Sequence, residues 1–183
     1  MRVMHCLDML AKTKNIPGDV IELGVSQGTT TFPMSATLWE MDKTKVIYAC
    51  DTYQGLPYDE TIKNGSEMKK GECNGGNKFK QVYSTLKTPN IIMIEGLVEE
   101  TLPKQLSDKK FSFVWCDMDL YLPTSFAYKF LEDRVSIGGI FGFHDYKFVR
   151  CPGIEKVIDN ELDKKKYERM IFVNNCIFFK KVR

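Results

Sequence analysis

Met170-Ile171-Phe172-Val173-Asn174-Asn175-Cys176-Ile177-Phe178-Phe179-Lys180 reads as two β-rich runs separated by two turn residues, the pattern of a tight antiparallel hairpin. The chain ahead of it follows a different rhythm. Segments 19–25, 45–50, 91–95, 111–116 and 139–143 read as strands. Segments 2–13, 29–41, 78–86 and 153–162 read as helices, and a further helix follows Pro123, a favoured first-turn residue. The first of these helices carries Val3, Cys6, Leu7 and Leu10 at helical spacing. Alternating strands and helices argue for βαβ units and a parallel sheet. The expected fold is therefore α/β and Rossmann-like: a doubly wound, mostly parallel sheet that ends in a C-terminal antiparallel hairpin. That ending sets it apart from a nicotinamide-type dinucleotide fold.

The 183 residues fit one domain, 1–183, large enough to bury a core without disulfides or a structural metal. With 43% hydrophobic and 27% charged residues the composition is that of an ordinary globular protein. Its 26 basic and 24 acidic side chains leave a net charge of +2, too balanced to imply a nucleic-acid partner. None of the six cysteines forms a C-x-x-C pair, and they read as free thiols in a reducing, cytoplasmic compartment. Asp8 and Lys12 interrupt any signal-peptide core, and no stretch approaches the roughly 20 apolar residues of a membrane span. The Asp163-Lys164-Lys165-Lys166 run reads as a solvated helix end. Residues 52–77 form a long insert with Gly55, Gly65, Gly71, Gly75 and Gly76, which reads either as a mobile lid over a site or as a surface loop.

Two features point to a ligand. Glu22-Leu23-Gly24-Val25-Ser26-Gln27-Gly28-Thr29 begins in the first strand and ends where a helix starts. Its glycines permit a tight turn and close backbone approach. A dinucleotide fingerprint would want G-x-G-x-x-G, whereas Ser26 stands between Gly24 and Gly28. Glu22 would repel a pyrophosphate but suit a cation, such as the ammonium of a methionine moiety. Asp51, at the end of the second strand and 23 residues after Gly28, is placed for ribose hydroxyls. The alternatives are a turn with no ligand and an aspartate that only caps a strand end.

The second feature is a cluster of acids. Strand 111–116 runs into Asp117-Met118-Asp119-Leu120-Tyr121, and strand 139–143 into His144-Asp145-Tyr146. Neighbouring strands of a doubly wound sheet bring Asp117 and Asp145 together. Two such carboxylates need a cation or a proton between them. A divalent ion such as Mg²⁺ meets that need, with His144 or Asp119 completing the site. It would lower the pKa of a substrate hydroxyl and hold it in line for attack. Read structurally instead, Asp119 caps the next helix and Asp145 a turn. His144 is a candidate general base, metal ligand or buried hydrogen-bonding residue; His5 reads as structural.

These stretches resemble the macrocin O-methyltransferase (TylF) family, within the class I S-adenosylmethionine-dependent methyltransferases. The matching residues run in order along nearly the whole chain: 18–25, Asp51-Thr52-Tyr53-Gln54-Gly55-Leu56-Pro57, Glu95-Gly96 with Glu99-Glu100-Thr101-Leu102-Pro103, Asp117-Met118-Asp119-Leu120-Tyr121-Leu122-Pro123-Thr124, Gly138-Gly139, His144-Asp145-Tyr146 and Cys151-Pro152-Gly153. The resemblance implies a seven-stranded methyltransferase sheet and methylation of a sugar hydroxyl with S-adenosylmethionine and Mg²⁺. It implies cofactor contacts at Glu22, Gly24, Gly28 and Asp51, a set we extend to Val25, Ser26, Thr29, Thr52, Glu95, Gly96 and Asp117. It implies metal ligands at Asp117 and Asp145, with His144 where the family often has an acid. Asp117 and His144 are the expected catalytic residues.

Two departures accompany the likeness. About 18 residues precede the first strand where the family carries a longer segment, and no histidine lies between residues 6 and 143. Both suggest a minimal enzyme with a different or more exposed acceptor. Expected partners are a carbohydrate-like small molecule and a second copy of the chain, with no nucleic acid and no membrane. A metal-independent methyltransferase with another acceptor, or a cofactor-binding module without turnover, are the competing readings. A nicotinamide enzyme is disfavoured by Ser26, Glu22 and the terminal hairpin.

Overall fold

The computed structural model describes residues 2–59, 68–86 and 88–183. The elements are α1 (Arg2–Ala11), β1 (Asp19–Leu23), α2 (Thr31–Met41), β2 (Ile47–Asp51), α3 (Gly76–Leu86), β3 (Ile91–Glu95), α4 (Val98–Gln105), β4 (Phe111–Cys116), α5 (Tyr121–Leu131), β5 (Val135–Phe143), α6 (Pro152–Asn160), β6 (Tyr167–Val173) and β7 (Cys176–Lys181). Among the described residues the strands form one seven-stranded sheet in the order β3-β2-β1-β4-β5-β7-β6. Strands β1 to β5 run parallel, and β7 and β6 are antiparallel additions. The hairpin turn uses φ of 48° at Asn174 and 59° at Asn175, the two left-handed positions of a type I′ turn, which asparagine tolerates.

Helices cover both faces, so the central strands are apolar throughout: all six residues of β4 are buried. Alternate side chains feed two cores. Ile21, Leu23, Val114, Phe141 and Phe143 pack with Leu102 of α4, Ala127 of α5 and Val157 of α6. Val20, Phe113, Trp115, Ile140 and Phe178 pack with Leu10 of α1, Leu38 of α2 and Phe79 of α3. No helix among the described residues is long and apolar enough to cross a membrane.

Several boundaries differ from the sequence reading. β1 stops at Leu23 because Gly24 turns the chain at a φ of 84°. α4 went unseen: it is eight residues long and holds Pro103, which masks a short helical pattern. α5 starts before Pro123, at Tyr121. The Asp163-Lys164-Lys165-Lys166 run is not a helix end. α6 stops at Asn160, and the run forms a turn in which the Asp163 carbonyl accepts from the N–H groups of Lys166 and Tyr167.

One buried cation ties the connection after α1 to the sheet. The Lys45 ammonium donates to the carbonyls of Ile16 at 2.5 Å and Thr13 at 3.4 Å, and to the Ser112 hydroxyl at 3.2 Å. Burial lowers its pKa against the pull of Asp42 and Asp19. Lys45→Met keeps the stem but strands these acceptors. We expect a loss of about 2 kcal/mol in urea denaturation, the order of one hydrogen-bonded charge and its orphaned partners.

Candidate active site

Doubly wound sheets bind ligands where the strand order reverses, beyond the carboxyl ends of the strands. Here the reversal lies between β1 and β4, and a cavity of about 520 Å³ opens there. Its floor is laced by backbone hydrogen bonds: Gly24 N–H donates to the Cys50 carbonyl at 2.9 Å, and Asp117 N–H to the Leu23 carbonyl at 2.8 Å. Gly24 passes so close to β4 that a Cβ would sit 2.0 Å from the Asp117 carbonyl oxygen.

Asp51 holds the turn that follows. Its Oδ2 accepts from the N–H groups of Val25 and Ser26, both at 2.7 Å, and its Oδ1 from that of Tyr53 at 2.8 Å. The Thr52 hydroxyl also lies 3.4 Å from Oδ1 but has a closer acceptor in the Gly55 carbonyl at 2.7 Å, so of about four acceptor sites on the carboxylate one remains for a ligand hydroxyl from the cavity it lines. Glu22 is buried at 1% exposure and accepts from the Thr31 hydroxyl. Burial pushes its carboxyl well above the usual range, with Asp117 adding to the effect and Arg2 opposing it. A ligand ammonium beside Glu22 would restore its charge.

Of the other residues named as cofactor contacts, Val25, Ser26, Thr29, Thr52, Gly96 and Asp117 line the cavity. Gly28 and Glu95 do not. A Cβ at Gly28 would strike the Phe32 and Phe79 rings at 2.5 and 2.6 Å, so this glycine serves packing behind the turn. Glu95 is half exposed and pairs with Lys80 at 2.8 Å, on the rim of an adjoining hollow of about 410 Å³ that shares Thr52, Gly55, Leu56, Pro57, Gly96 and Leu97 with the cavity. The described parts of the 52–77 insert wall the cavity with Leu56 and Met68, joined by hydrogen bonds from Leu56 N–H to the Glu72 carbonyl and from Gly71 N–H to the Leu56 carbonyl. The rest of the expected lid, 60–67, lies outside the described residues.

Beyond β4 and β5 the expected acids meet. His144 Nδ1 lies 3.0 Å from Asp117 Oδ1 and 2.8 Å from Asp145 Oδ2. That nitrogen is fully buried, yet neither contact has the alignment of a hydrogen bond. Ligand atoms of Asp117, His144 and Asp145 fall within 4.8 Å of one another. Burial disfavours charge on His144, but Asp117 and Asp145 outweigh it and raise the imidazole to about 10. Burial of Asp145 is in turn outweighed by His144, which holds its carboxyl below the usual range.

Three residues here, Cys73, Cys151 and Arg2, are not placed in the site by the sequence reading, whereas Asp119 is. Asp119, expected to complete the metal site or cap a helix, faces the cavity and accepts from the thiols of Cys73 at 3.4 Å and Cys151 at 3.8 Å. Burial first, then Asp117 and a hydrogen bond with Asp145, push its carboxyl up to about 8. Asp119 and Asp145 both hold φ near 60°, a strained setting for non-glycine residues that clusters at functional sites. The cysteines therefore do more than pack. Arg2 is the third: from the first turn of α1 it donates to Asp117 Oδ2 at 3.0 Å and to the Thr29 hydroxyl at 3.3 Å. Nothing in the sequence marks it out, because the contact spans 115 residues.

Comparison with known proteins agrees with this architecture. A family model described as macrocin-O-methyltransferase (TylF) matches residues 1–181. The 8-demethyl-8-(2,3-dimethoxy-alpha-L-rhamnosyl)-tetracenomycin-C 4'-O-methyltransferase of Streptomyces olivaceus is 25% identical over 159 residues, covering 81% of this chain and 60% of that protein. This chain thus spans about three fifths of that relative's length. The solved O-methyltransferase NovP shares 19% identity at a TM-score of 0.85, over 100% of this chain and 80% of its own. A putative methyltransferase from Streptococcus mutans, solved in complex with SAH, shares 14% identity at a TM-score of 0.69, over 100% of this chain and 98% of its own.

Proposed function

The chain belongs to the macrocin O-methyltransferase family, and from that premise we propose that it transfers a methyl group from S-adenosylmethionine to a hydroxyl of a sugar or another polyhydroxy small molecule, assisted by Mg²⁺. The observation that carries this reading is the meeting, in one cavity, of the Gly24 turn and Asp51 with Asp117, Asp119, His144 and Asp145. The first group suits a nucleoside with an amino-acid tail; the second suits a polar acceptor. The Streptomyces olivaceus relative is named for methylation at a 4' oxygen, which supports an acceptor of sugar type. Free thiols at Cys73 and Cys151 suit a reducing, cytoplasmic setting.

The donor set fits a divalent ion. A buried imidazole nitrogen stands between two carboxylate oxygens without a well-aligned hydrogen bond, as a ligand atom would. Asp117, His144 and Asp145 would hold the ion, which when bound would lower the pKa of the acceptor hydroxyl and orient it. The chain's own groups supply the rest. The turn at Gly24 and the Asp51 carboxylate seat the cofactor, and Glu22 meets its ammonium. Leu56 and Met68 of the flap help exclude water. His144 is a poor proton acceptor: either it is an imidazolium between two carboxylates, or its Nδ1 lone pair is committed to the ion. Asp119 is the better one, since Asp117 and Asp145 are engaged with cations while Asp119 contacts only thiols and Asp145. Asp119→Asn should reduce kcat about a hundredfold or more with little change in cofactor affinity, the usual contribution of a positioned base.

Calorimetry with S-adenosylhomocysteine, followed by turnover assays with Mg²⁺ and a panel of sugar acceptors, tests the reading. Absence of cofactor binding by folded protein would overturn it. One observation favours the metal-independent alternative: the Arg2 guanidinium already neutralises Asp117. Turnover undiminished in excess chelator would decide for that alternative.

A further inference from the structure

A cofactor of this kind brings one anion into the site, the α-carboxylate of its methionine moiety. The cavity is a hostile place for it: Asp51, Glu99, Asp117 and Asp145 line it, and Glu22 adds its charge once a ligand ammonium stands beside it. Like charges within a few ångströms of one another cost affinity unless a cation stands between them. Among the described residues lining the cavity, only Arg2 and Arg150 are permanent cations. They occupy different sides. Arg150 belongs to the segment between β5 and α6 and pairs with Glu72 of the flap at 3.1 Å. Arg2 stands on the cofactor side, bridging Thr29 at the start of the α2 region and Asp117 at the end of β4. Its charge is also felt at Glu22, the residue suited to the cofactor's ammonium. An amino-acid zwitterion needs those two partners close together: an acid for the ammonium and a guanidinium for the carboxylate.

Resting on the methyltransferase reading, we propose that Arg2 is the residue that binds the cofactor's α-carboxylate. A guanidinium presents five N–H donors in a planar fork, enough to keep its bond to Asp117 and still meet a carboxylate with two parallel hydrogen bonds. The side chain is about one-third exposed toward the cavity, so a ligand can reach it without displacing packed groups. The arrangement explains why a helix before the first strand belongs to the site. α1 packs through Cys6, Met9 and Leu10 into the core it shares with α2, β5 and β7, and its first turn brings Arg2 to Thr29 and Asp117 on the cofactor side. Arg2 is thus a specificity-determining residue: it selects the complete amino-acid tail over truncated nucleosides.

The test compares two ligands that differ only in this carboxylate. Binding of S-adenosylmethionine and of decarboxylated S-adenosylmethionine is measured by calorimetry on wild type, Arg2→Ala and Arg2→Lys, without acceptor. Arg2→Ala should weaken S-adenosylmethionine about tenfold or more, the scale of one charge-assisted hydrogen-bond pair at a half-open site. The decarboxylated ligand, with two positive charges and no anion, should bind Arg2→Ala as well as wild type or more tightly. Arg2→Lys should fall between, keeping the charge but not the fork. Equal weakening of both ligands would make Arg2 a structural element only and overturn the inference, as would unchanged S-adenosylmethionine affinity. Wild-type protein that binds neither ligand would instead overturn the methyltransferase reading itself.

Discussion

Asp117→Ala is expected to lower methyl transfer by about a thousandfold, while affinity for S-adenosylhomocysteine holds or improves. The two halves of this expectation have separate causes. Asp117 is the meeting point of the acceptor side: Oδ1 faces His144 Nδ1 at 3.0 Å and Oδ2 accepts from Arg2 at 3.0 Å. Without it, the set that would hold a divalent ion drops to two residues, and His144 loses one of the carboxylates that orient it. Electrophilic activation by such an ion is worth several kcal/mol, and each ~1.4 kcal/mol is tenfold in rate. The cofactor should respond in the other direction. Its carboxylate would meet Arg2 free of a competing acid, and one negative charge fewer would stand nearby. Asp117→Asn, which keeps the shape, should show the same rate loss. Steady-state rates with and without Mg²⁺, beside cofactor calorimetry, separate the two effects. A variant that keeps more than about a tenth of the rate would place Asp117 outside the chemistry.

The parts of this site that the sequence disclosed are those governed by strand topology. Parallel neighbours end on the same side of a sheet, so Asp117 after β4 and Asp145 after β5 had to approach each other once the strands were recognised. Asp51 followed from the same logic at the end of β2, and the Asn174-Asn175 turn follows from local backbone preference alone. The same logic misplaced Glu95. It too ends a parallel strand, but β3 is the sheet edge, and an edge strand offers its terminal acid to solvent and to Lys80 rather than to the switch point. Gly28 misled for another reason. A glycine at a strand-to-helix turn suits ligand approach and close ring packing equally well, and only the positions of Phe32 and Phe79 decide between them. Arg2, Cys73 and Cys151 stayed hidden because their places depend on how a helix and an insert dock, which no local pattern encodes.

Gly24→Ala is expected to cost far more than a single methyl group normally does, and a second glycine shows why. Gly24 and Gly71 share a φ of 84°, so alanine at either position carries the same left-handed strain, on the order of 1 kcal/mol. Their surroundings differ completely. Nothing lies within 4 Å of a Cβ built at Gly71, whereas at Gly24 it would sit 2.0 Å from the Asp117 carbonyl oxygen and 2.6 Å from its carbon. Neither atom can yield, because Asp117 N–H is bonded to the Leu23 carbonyl and Gly24 N–H to that of Cys50. Relief requires β1 and β4 to part at the switch point, which moves Asp117 and the turn that Asp51 holds. We therefore expect Gly71→Ala to lose about 1 kcal/mol in urea denaturation and to bind S-adenosylhomocysteine as wild type does. Gly24→Ala should lose about 3 kcal/mol or more, and its folded fraction should bind at least about tenfold more weakly. Equal destabilisation of the two variants would mean that backbone strain alone sets the cost, and the close approach of β1 to β4 would then have no part in shaping the site.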